Sequence, residues 1–190
     1  YLDINFLKAI FLWTNIEQSN VDKLNIEDCV PLICLHKGML LLVEGKKKEA
    51  ETFLTKVEEQ NFSSTRIKEL LFHAFLKLNR KNKAEKFFKE MSLKDLNLKP
   101  YRMSYFLNND YLLNPIKSQK DGLAEILYNI SSWYYQKNLL KYSIFFGKLS
   151  LRIRPNFNAM KLLVANALEE IGYEQLAIEL ISNVNKRNLY

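Results

Sequence analysis

The chain has 190 residues, with 28 basic and 21 acidic side chains and a net charge of +7. A hydrophobic fraction of 48% beside a charged fraction of 26% excludes an intrinsically disordered chain, because it leaves ample apolar area for a core. With only five glycines and four prolines, the composition favours long helices joined by short turns. The best apolar run, residues 30–43, contains His36 and Lys37 and is too short to span a bilayer.

Apolar residues recur at helical spacing through most of the chain. The first helix begins after Asp3, a suitable N-cap, and the second tolerates Pro31 because that proline falls in its first turn. Gly45 marks a tight turn, and Ser118 with Asp121 has the spacing of a capping box. In chain order, the predicted helices span residues 3–18, 28–44, 48–60, 65–79, 82–92, 121–137, 139–153, 157–171 and 173–184.

Residues 94–117 interrupt this pattern. They contain Pro100 and Pro115, a polar run at 108–110 and several aromatic residues. Residues 102–113 can still form a helix. Two alternatives therefore stay open: the segment is a degenerate helix hairpin, or it is a plug that lies in a groove formed by the rest of the chain.

A repeat of 34 residues underlies the helices and occurs in two consecutive pairs. Residues 31–64 align with 65–98, and residues 124–157 align with 158–190, without a gap. Small residues coincide at one place in the repeat and turn residues at another. The coincident pairs are Ala50 with Ala84, Ser143 with Ala177, Gly45 with Asn79, and Asn138 with Gly172. A period of this length predicts a solenoid of helix pairs.

These positions resemble the tetratricopeptide repeat, whose signature has about 34 residues. In that family, small residues at the eighth and twentieth places let the two helices of a hairpin approach closely, and bulky residues at other places fill the space between hairpins. The resemblance implies an all-α, right-handed α-solenoid of antiparallel helix hairpins. The departures from the pattern are Lys37, Lys68 and Lys161 at apolar places, Phe72 at a small place and Gly147 at a bulky place.

We expect the repeats to form one continuous domain. Residues 1–30 would end a preceding helical repeat, 31–98 and 121–190 would each hold two repeats, and 99–120 would connect them. The stretch from 122 to 157 is also similar to long bacterial tetratricopeptide proteins of no assigned activity, which carry further repeats on the N-terminal side. That resemblance implies the C-terminal part of a longer array. The chain does not begin with Met, so we expect a processed chain or a piece of something longer. The sequence indicates no compartment.

Residue types that carry catalysis or bind metals are sparse. Cys29, Cys34, His36 and His73 fit no zinc module, because the chain has no CxxC pair. If both cysteines lie in a helix they point in different directions, so we expect them not to pair. With two histidines, no Gly-x-Ser-x-Gly elbow and no phosphate loop, the sequence predicts no enzyme, no metal site and no cofactor.

The resemblance also implies a binding surface, because in the family the first helix of each repeat lines a concave groove that holds peptides or proteins. Carried over by position, the groove residues are Glu69 and His73 in the second repeat, Tyr128, Ser132 and Tyr135 in the third, and Asn166 and Glu169 in the fourth. In the first repeat the corresponding residues are apolar, and we expect residues 1–30 or a further repeat on the N-terminal side to cover them. The Lys and Asn that hold a terminal carboxylate in some family members are absent here.

The sequence thus predicts a non-enzymatic protein–protein interaction scaffold that binds a peptide or protein in its groove. Tyr128 and Tyr135 are the anchor candidates, because tyrosine offers contact area and a hydroxyl at low entropic cost. Their alternative role is packing against residues 99–120 or the neighbouring hairpin. A second hypothesis is an adaptor for nucleic acid, anionic lipid or an acidic protein through an outer basic face. That face would consist of Lys81, Lys83, Lys86, Lys89, Lys141, Lys148 and Arg152.

Overall fold

The structure is a computed structural model that describes residues 3–14, 29–60, 64–94, 115–182 and 184, the side chains of 92–94 excepted. Within these ranges all regular structure is helical, which confirms the predicted all-α class. The helices, numbered α1 to α9, span Ile4–Thr14, Pro31–Val43, Lys47–Glu58, Thr65–Lys77, Lys81–Lys94, Gln119–Gln136, Leu140–Ile153, Asn158–Glu170 and Glu174–Ser182. The chain forms two compact units, the N-terminal unit (residues 1–119) and the C-terminal unit (residues 120–190).

The described helix ends lie within three residues of the predicted ones. The end of the first predicted helix after Thr14 and the candidate helix at 102–113 lie outside the described residues. None of the described helices is both long enough and apolar enough to cross a membrane. That the two units continue into one solenoid remains a prediction.

Four hairpin turns share one backbone geometry, and they recur with the period of the sequence. The residue at the turn has a positive φ in each: 81° at Gly45, 61° at Asn79, 58° at Asn138 and 83° at Gly172. The N–H of the following residue donates to the carbonyl five residues back, as from Lys46 to Leu41 at 2.9 Å. This is the Schellman arrangement, and it explains why only Gly and Asn, the residues that adopt a left-handed conformation most readily, occupy this place.

In the N-terminal unit, α2 and α3 form one hairpin and α4 and α5 form the next. Gly38 lets α2 approach α3, because a Cβ there would lie 2.7 Å from Leu54 Cγ. In the second hairpin the small residue is replaced by Phe72, which is fully buried. Its ring packs on Phe88 with 5.7 Å between centroids, so an aromatic pair takes over the contact that a small residue makes elsewhere.

The helix α1 packs on α2 through a buried polar contact. Trp13 Nε1 donates a hydrogen bond of 2.9 Å to His36 Nδ1, and both side chains are buried. Because Nδ1 accepts this bond, His36 carries no proton on that nitrogen. The first helix is therefore part of the folded unit and not a loose extension.

In the C-terminal unit, serine occupies both small places of the third repeat, Ser131 and Ser143. Hydrogen bonds from the hydroxyls of Ser131 and Ser150 join the two helices of the hairpin. Ser131 Oγ on α6 donates a hydrogen bond of 2.8 Å to the carbonyl of Ser143 on α7. Ser150 Oγ on α7 donates one of the same length to the carbonyl of Ala124 on α6. All three serines are fully buried. Each hydroxyl has a hydrogen-bond partner, which offsets the cost of removing it from water.

The departure at Gly147 has a packing explanation. A Cβ at Gly147 would lie 2.2 Å from Val164 Cγ2 and 3.2 Å from Met160 Sδ. Val164 and Met160 belong to α8, the first helix of the next hairpin, and both are fully buried. The bulk that the repeat pattern expects on α7 is supplied by α8.

Two of the lysines at apolar places have buried stems. Lys68 on α4 forms an ion pair with Glu90 on α5, and its side chain is only 12% exposed. Lys37 is 9% exposed within α2. Long lysine stems can replace apolar residues at such places when the ammonium group finds a polar partner or solvent.

The prediction that Cys29 and Cys34 stay apart is wrong, because the structure joins them in a disulfide. The prediction assumed that both cysteines lie in a helix. Cys29 instead precedes α2 in non-helical backbone, and Val30 is extended, with φ −67° and ψ 153°. The chain therefore turns back onto the first turn of α2, and the two Cα atoms are 5.5 Å apart.

Candidate partner-binding groove

The C-terminal unit places its five predicted groove residues on two packed helices. Tyr128, Ser132 and Tyr135 are half-buried on α6 at positions i, i+4 and i+7, and Asn166 and Glu169 are exposed on α8. Residues at this spacing share one face of a helix. The face carries two aromatic rings, a hydroxyl, an amide and a carboxylate, all in contact with solvent.

The two tyrosines are held at this face by the neighbouring hairpin. The ring of Tyr128 lies 5.6 Å from that of Phe157, and the hydroxyl of Tyr135 donates a hydrogen bond to Glu170 on α8. Both rings pack at the edge of the buried cluster that contains Met160, Val164 and Leu168. Each ring is thus packed on one side and exposed on the other, so both rings are ordered in the absence of a partner.

The environment of Tyr135 raises the pKa of its hydroxyl above the usual value of 10. The main cause is the hydrogen bond to Glu170, with burial and the charges of Glu170 and Glu169 adding to it. The hydroxyl therefore stays protonated at neutral pH. Glu169 and Glu170 together make this end of the face acidic.

The N-terminal unit treats its predicted groove residues differently. Glu69 and His73 are 9% and 4% exposed, and Arg66 beside them is 8% exposed. Arg66 donates to Glu69 at 2.6 Å, and His73 Nε2 lies 4.0 Å from the same carboxylate. Burial lowers the pKa of His73 to about 3, with the positive charge of Arg66 as the second cause. These residues form a buried polar cluster, so contact with a partner at Glu69 or His73 would require the unit to open.

A segment of the chain itself covers part of this groove. Pro115 and Ile116 lie against α2 and α4, and Ile116 is 4% exposed. A cavity of about 10 Å³, room for about one water molecule, remains between them and the two helices. The cavity is lined by Met39, Leu42, Leu70, His73, Ala74 and Lys77. The described end of the connection is therefore packed on α2 and α4, and the remainder of the predicted 99–120 connection, up to residue 114, lies outside the described residues.

Sequence reasoning missed Ile116 and Glu170 as parts of these two sites. Neither residue has a signal of its own in the sequence, since each is an ordinary apolar or acidic residue in its segment. Their roles follow from contacts between distant parts of the chain: 116 with the helices at 31–43 and 65–77, and 170 with Tyr135.

The predicted basic face divides into two sets with different surroundings. On α5, Lys83 and Lys86 both pair with Glu58 of α3, at 2.7 and 3.3 Å, and Lys89 pairs with Glu85 at 2.9 Å. Arg80 just before α5 bonds Glu51 of α3 at 2.9 Å, and this bond holds the pKa of Glu51 below its usual value. Three lysines of α5 thus lie in ion pairs with neighbouring carboxylates, whereas Lys81 is exposed and forms no ion pair with the described residues.

On α7, by contrast, Lys141, Lys148 and Arg152 are exposed and form no ion pair with any residue that the structure describes. Across the described ranges, no group of three His, Cys, Asp or Glu side chains converges as a metal site requires.

No protein-family model and no curated protein matches the chain. Two solved structures of MamA, designated MSR-1 C2 and AMB-1 P212121, are similar to it at 12% identity and a TM-score of 0.39. The match covers 97% of this chain and 97% of the first structure, and 98% of this chain and 93% of the second. At these values the match indicates no partner. The tetratricopeptide resemblance rests instead on the four equivalent turns and on the contacts between paired helices.

Proposed function

We propose that the chain is a non-enzymatic scaffold that binds an extended peptide segment of a partner protein on the α6–α8 face of the C-terminal unit. The observation that carries the proposal is the pair of half-exposed tyrosines, Tyr128 and Tyr135, which the neighbouring hairpin holds in place. Tyrosine is enriched among the residues that dominate binding energy, and rings that are already ordered lose little entropy on binding.

The face also indicates the chemistry of the bound segment. Tyr135 follows Tyr128 by seven positions, so the two side chains start about 10 Å apart along the helix axis. That distance is about the length of three residues of extended chain. An aliphatic or aromatic side chain fits over the rings, and Ser132 and Asn166 offer hydrogen bonds to a peptide backbone. A lysine or arginine at the end next to Tyr135 would face the exposed Glu169.

A selection of random peptides displayed against the 190-residue chain tests this proposal. We expect selected peptides to share an apolar residue and a nearby basic residue, and to bind at both low and high salt. Tyr128→Ala with Tyr135→Ala should weaken their binding at least tenfold, as expected when two anchor residues are lost. The matched control is Tyr142→Ala with Tyr173→Ala, which removes two exposed tyrosines from α7 and the start of α9.

The proposal fails if the control weakens binding as much as the groove variant does, provided that both variants keep the helical circular dichroism of the original chain. It also fails if the selected peptides bind only at low salt and bind the groove variant normally, because binding would then depend on surface charge.

A further inference from the structure

The outer face of α7 combines exposed cations with exposed apolar side chains. Phe145 is 56% exposed, Tyr142 57% and Leu149 39%, and their helical spacing places them side by side as one exposed apolar patch. Lys141, Phe145, Lys148 and Arg152 follow one another at i, i+4, i+7 and i+11, so they form one line along the helix. Tyr142 and Leu149 border that line. We call these six residues the α7 face; α7 contains no acidic residue.

The opposite side of α7 explains why this face has no role in the core. Ser143, Gly147 and Ser150 are buried against α6 and α8, where they make the hydrogen bonds and the close contact described above. The helix is therefore anchored by one side only. The α7 face can be changed without loss of these contacts.

The cations of the α7 face differ from those of α5 in their availability. Glu58 alone accepts two lysines of α5, whereas Lys141, Lys148 and Arg152 have no carboxylate beside them among the described residues. An anionic partner would meet three cations without an ion pair on α7, whereas Lys83, Lys86 and Lys89 of α5 are already held in ion pairs.

The aromatic side chains of this region are ordered by one another. Tyr134 stacks on Tyr142 and on Phe146, with centroids 5.3 and 5.4 Å apart, and Phe145 meets Phe146 edge-on at 5.3 Å. Trp133, half-buried at the end of α6, contacts Tyr134 at 5.0 Å. Tyrosine and tryptophan that expose one polar edge are typical of the interface between membrane and water.

We infer that the α7 face binds an anionic membrane surface. The partner must offer negative charge to three cations in a row and apolar volume to Phe145, Leu149 and Tyr142. A bilayer interface supplies both without a preshaped pocket, because side chains that protrude from one helix can enter it while lysine and arginine reach the headgroups. Single-stranded nucleic acid fits less well, since Tyr142 already stacks on Tyr134 and since nucleotide bases gain little from Leu149.

Sedimentation of the 190-residue chain with vesicles tests this inference. We expect binding to vesicles of phosphatidylcholine mixed with phosphatidylglycerol, little binding to phosphatidylcholine alone, and release as the salt concentration rises. Tryptophan fluorescence gives an independent readout. Trp13 is 2% exposed and should report little, whereas the half-buried Trp133 should shift to shorter wavelength on binding.

Two variants divide the charged and apolar contributions. Lys141→Gln with Lys148→Gln and Arg152→Gln should lower the partition constant about a hundredfold, because each cation near an anionic surface contributes about a fivefold factor. Leu149→Ser should lower it severalfold without touching the stacked rings. The matched control, Lys83→Gln with Lys86→Gln and Lys89→Gln on α5, removes the same net charge from lysines that are already in ion pairs and should change the partition constant only a few-fold.

Equal losses in the α7 and α5 triple variants would overturn the inference, because they would show a response to net charge alone. Equal binding to neutral vesicles, or no binding to anionic ones, would also overturn it. Tight binding of single-stranded RNA that shifts Trp133 emission, without vesicle binding, would assign the face to nucleic acid. The inference does not depend on the peptide groove: Tyr128→Ala with Tyr135→Ala should bind vesicles normally.

Discussion

The two units have different residues at the ninth place of their repeats, and these residues differ in their exposure to solvent. In the N-terminal unit it holds Met39 and His73, both buried where Ile116 lies across α2 and α4. In the C-terminal unit it holds Ser132 and Asn166, which contact solvent. The hairpins are built alike, with the same turn, so the repeat alone does not decide whether a groove is open. In the first unit, residues 115 and 116 also pack at this place, and Ile116 lines one small cavity together with Met39 and His73.

The units also differ in where they remove bulk. In the N-terminal unit Gly38 makes room for Leu54 inside one hairpin, whereas in the C-terminal unit Gly147 makes room for Val164 of the next hairpin. In each unit, the side-chain volume that is missing at the glycine is supplied by the residue packed against it, Leu54 or Val164.

The largest effect should come from Gly147→Ala. The new Cβ would lie 2.2 Å from the stiff, β-branched Val164, and the overpacking should exceed the gain in helix propensity of about 1 kcal/mol. We expect the free energy of unfolding of the C-terminal unit to fall by about 2–3 kcal/mol in urea denaturation. Adding Val164→Ala should recover part of that loss, with a coupling of about 1 kcal/mol or more. Additive effects of the two substitutions would contradict the close contact.

Ile116→Ala should loosen the packing of residues 115–116 on α2 and α4. We expect a loss of about 2 kcal/mol, the lower end for a buried isoleucine, because the segment can collapse onto the helices. Hydrogen exchange should then accelerate in α2 and α4 and remain unchanged in α8 and α9. Leu149→Ser, at an exposed apolar residue, is the control and should leave exchange in α2 and α4 as it was. Unchanged exchange in both units of the Ile116 variant would show that Ile116 does not close the groove.

His73 should make the N-terminal unit sensitive to acid. Its pKa is about 3 in the folded protein and near 6.5 when unfolded, so between these values the unfolded chain binds more protons. Stability should therefore fall as the pH drops below 6.5, by about 2 kcal/mol at pH 5. His73→Leu should remove that part of the pH dependence while leaving the stability at pH 8 similar. An identical pH profile in the variant would mean that His73 is not buried as a neutral group.

The smallest effect should come from Tyr135→Phe. The bond from the Tyr135 hydroxyl to Glu170 lies at the surface, so its loss should cost at most about 1 kcal/mol of unfolding free energy. Because the ring remains, peptide affinity should change less than in Tyr135→Ala. A loss of affinity as large as that of the alanine variant would assign the contact to the hydroxyl and not to the ring.

Much of the fold followed from local signals in the sequence. The alignment of Gly45 with Asn79 and of Asn138 with Gly172 indicated the places of the turns. The left-handed backbone found there explains these residue types, because few residues tolerate that conformation. The alignment of small residues anticipated the close helix pairs. Such signals are visible because each depends on one residue and its own backbone.

What the sequence did not reveal depends on contacts between distant segments. The burial of His73 requires the N-terminal unit to close over α4, where Ile116 is one of the neighbours. The pairing of Cys29 with Cys34 requires the chain to be extended before Pro31. The neutralisation of Lys83 and Lys86 requires Glu58 of the preceding hairpin. A charge run or a place in a repeat looks the same in the sequence whether or not such a neighbour exists.

The most direct test of the account is to map a selected peptide onto the chain by NMR. Backbone amide shifts would be recorded for the 190-residue chain during titration with the tightest peptide from the display selection. If the peptide binds the α6–α8 face, the amide shifts should change mainly on α6 and α8, around Tyr128, Tyr135 and Asn166. The shifts of α2 and α4 should stay unchanged. Perturbations concentrated on α2 and α4, with loss of the contacts of Ile116, would contradict the proposal, because the covered groove would then be the binding site.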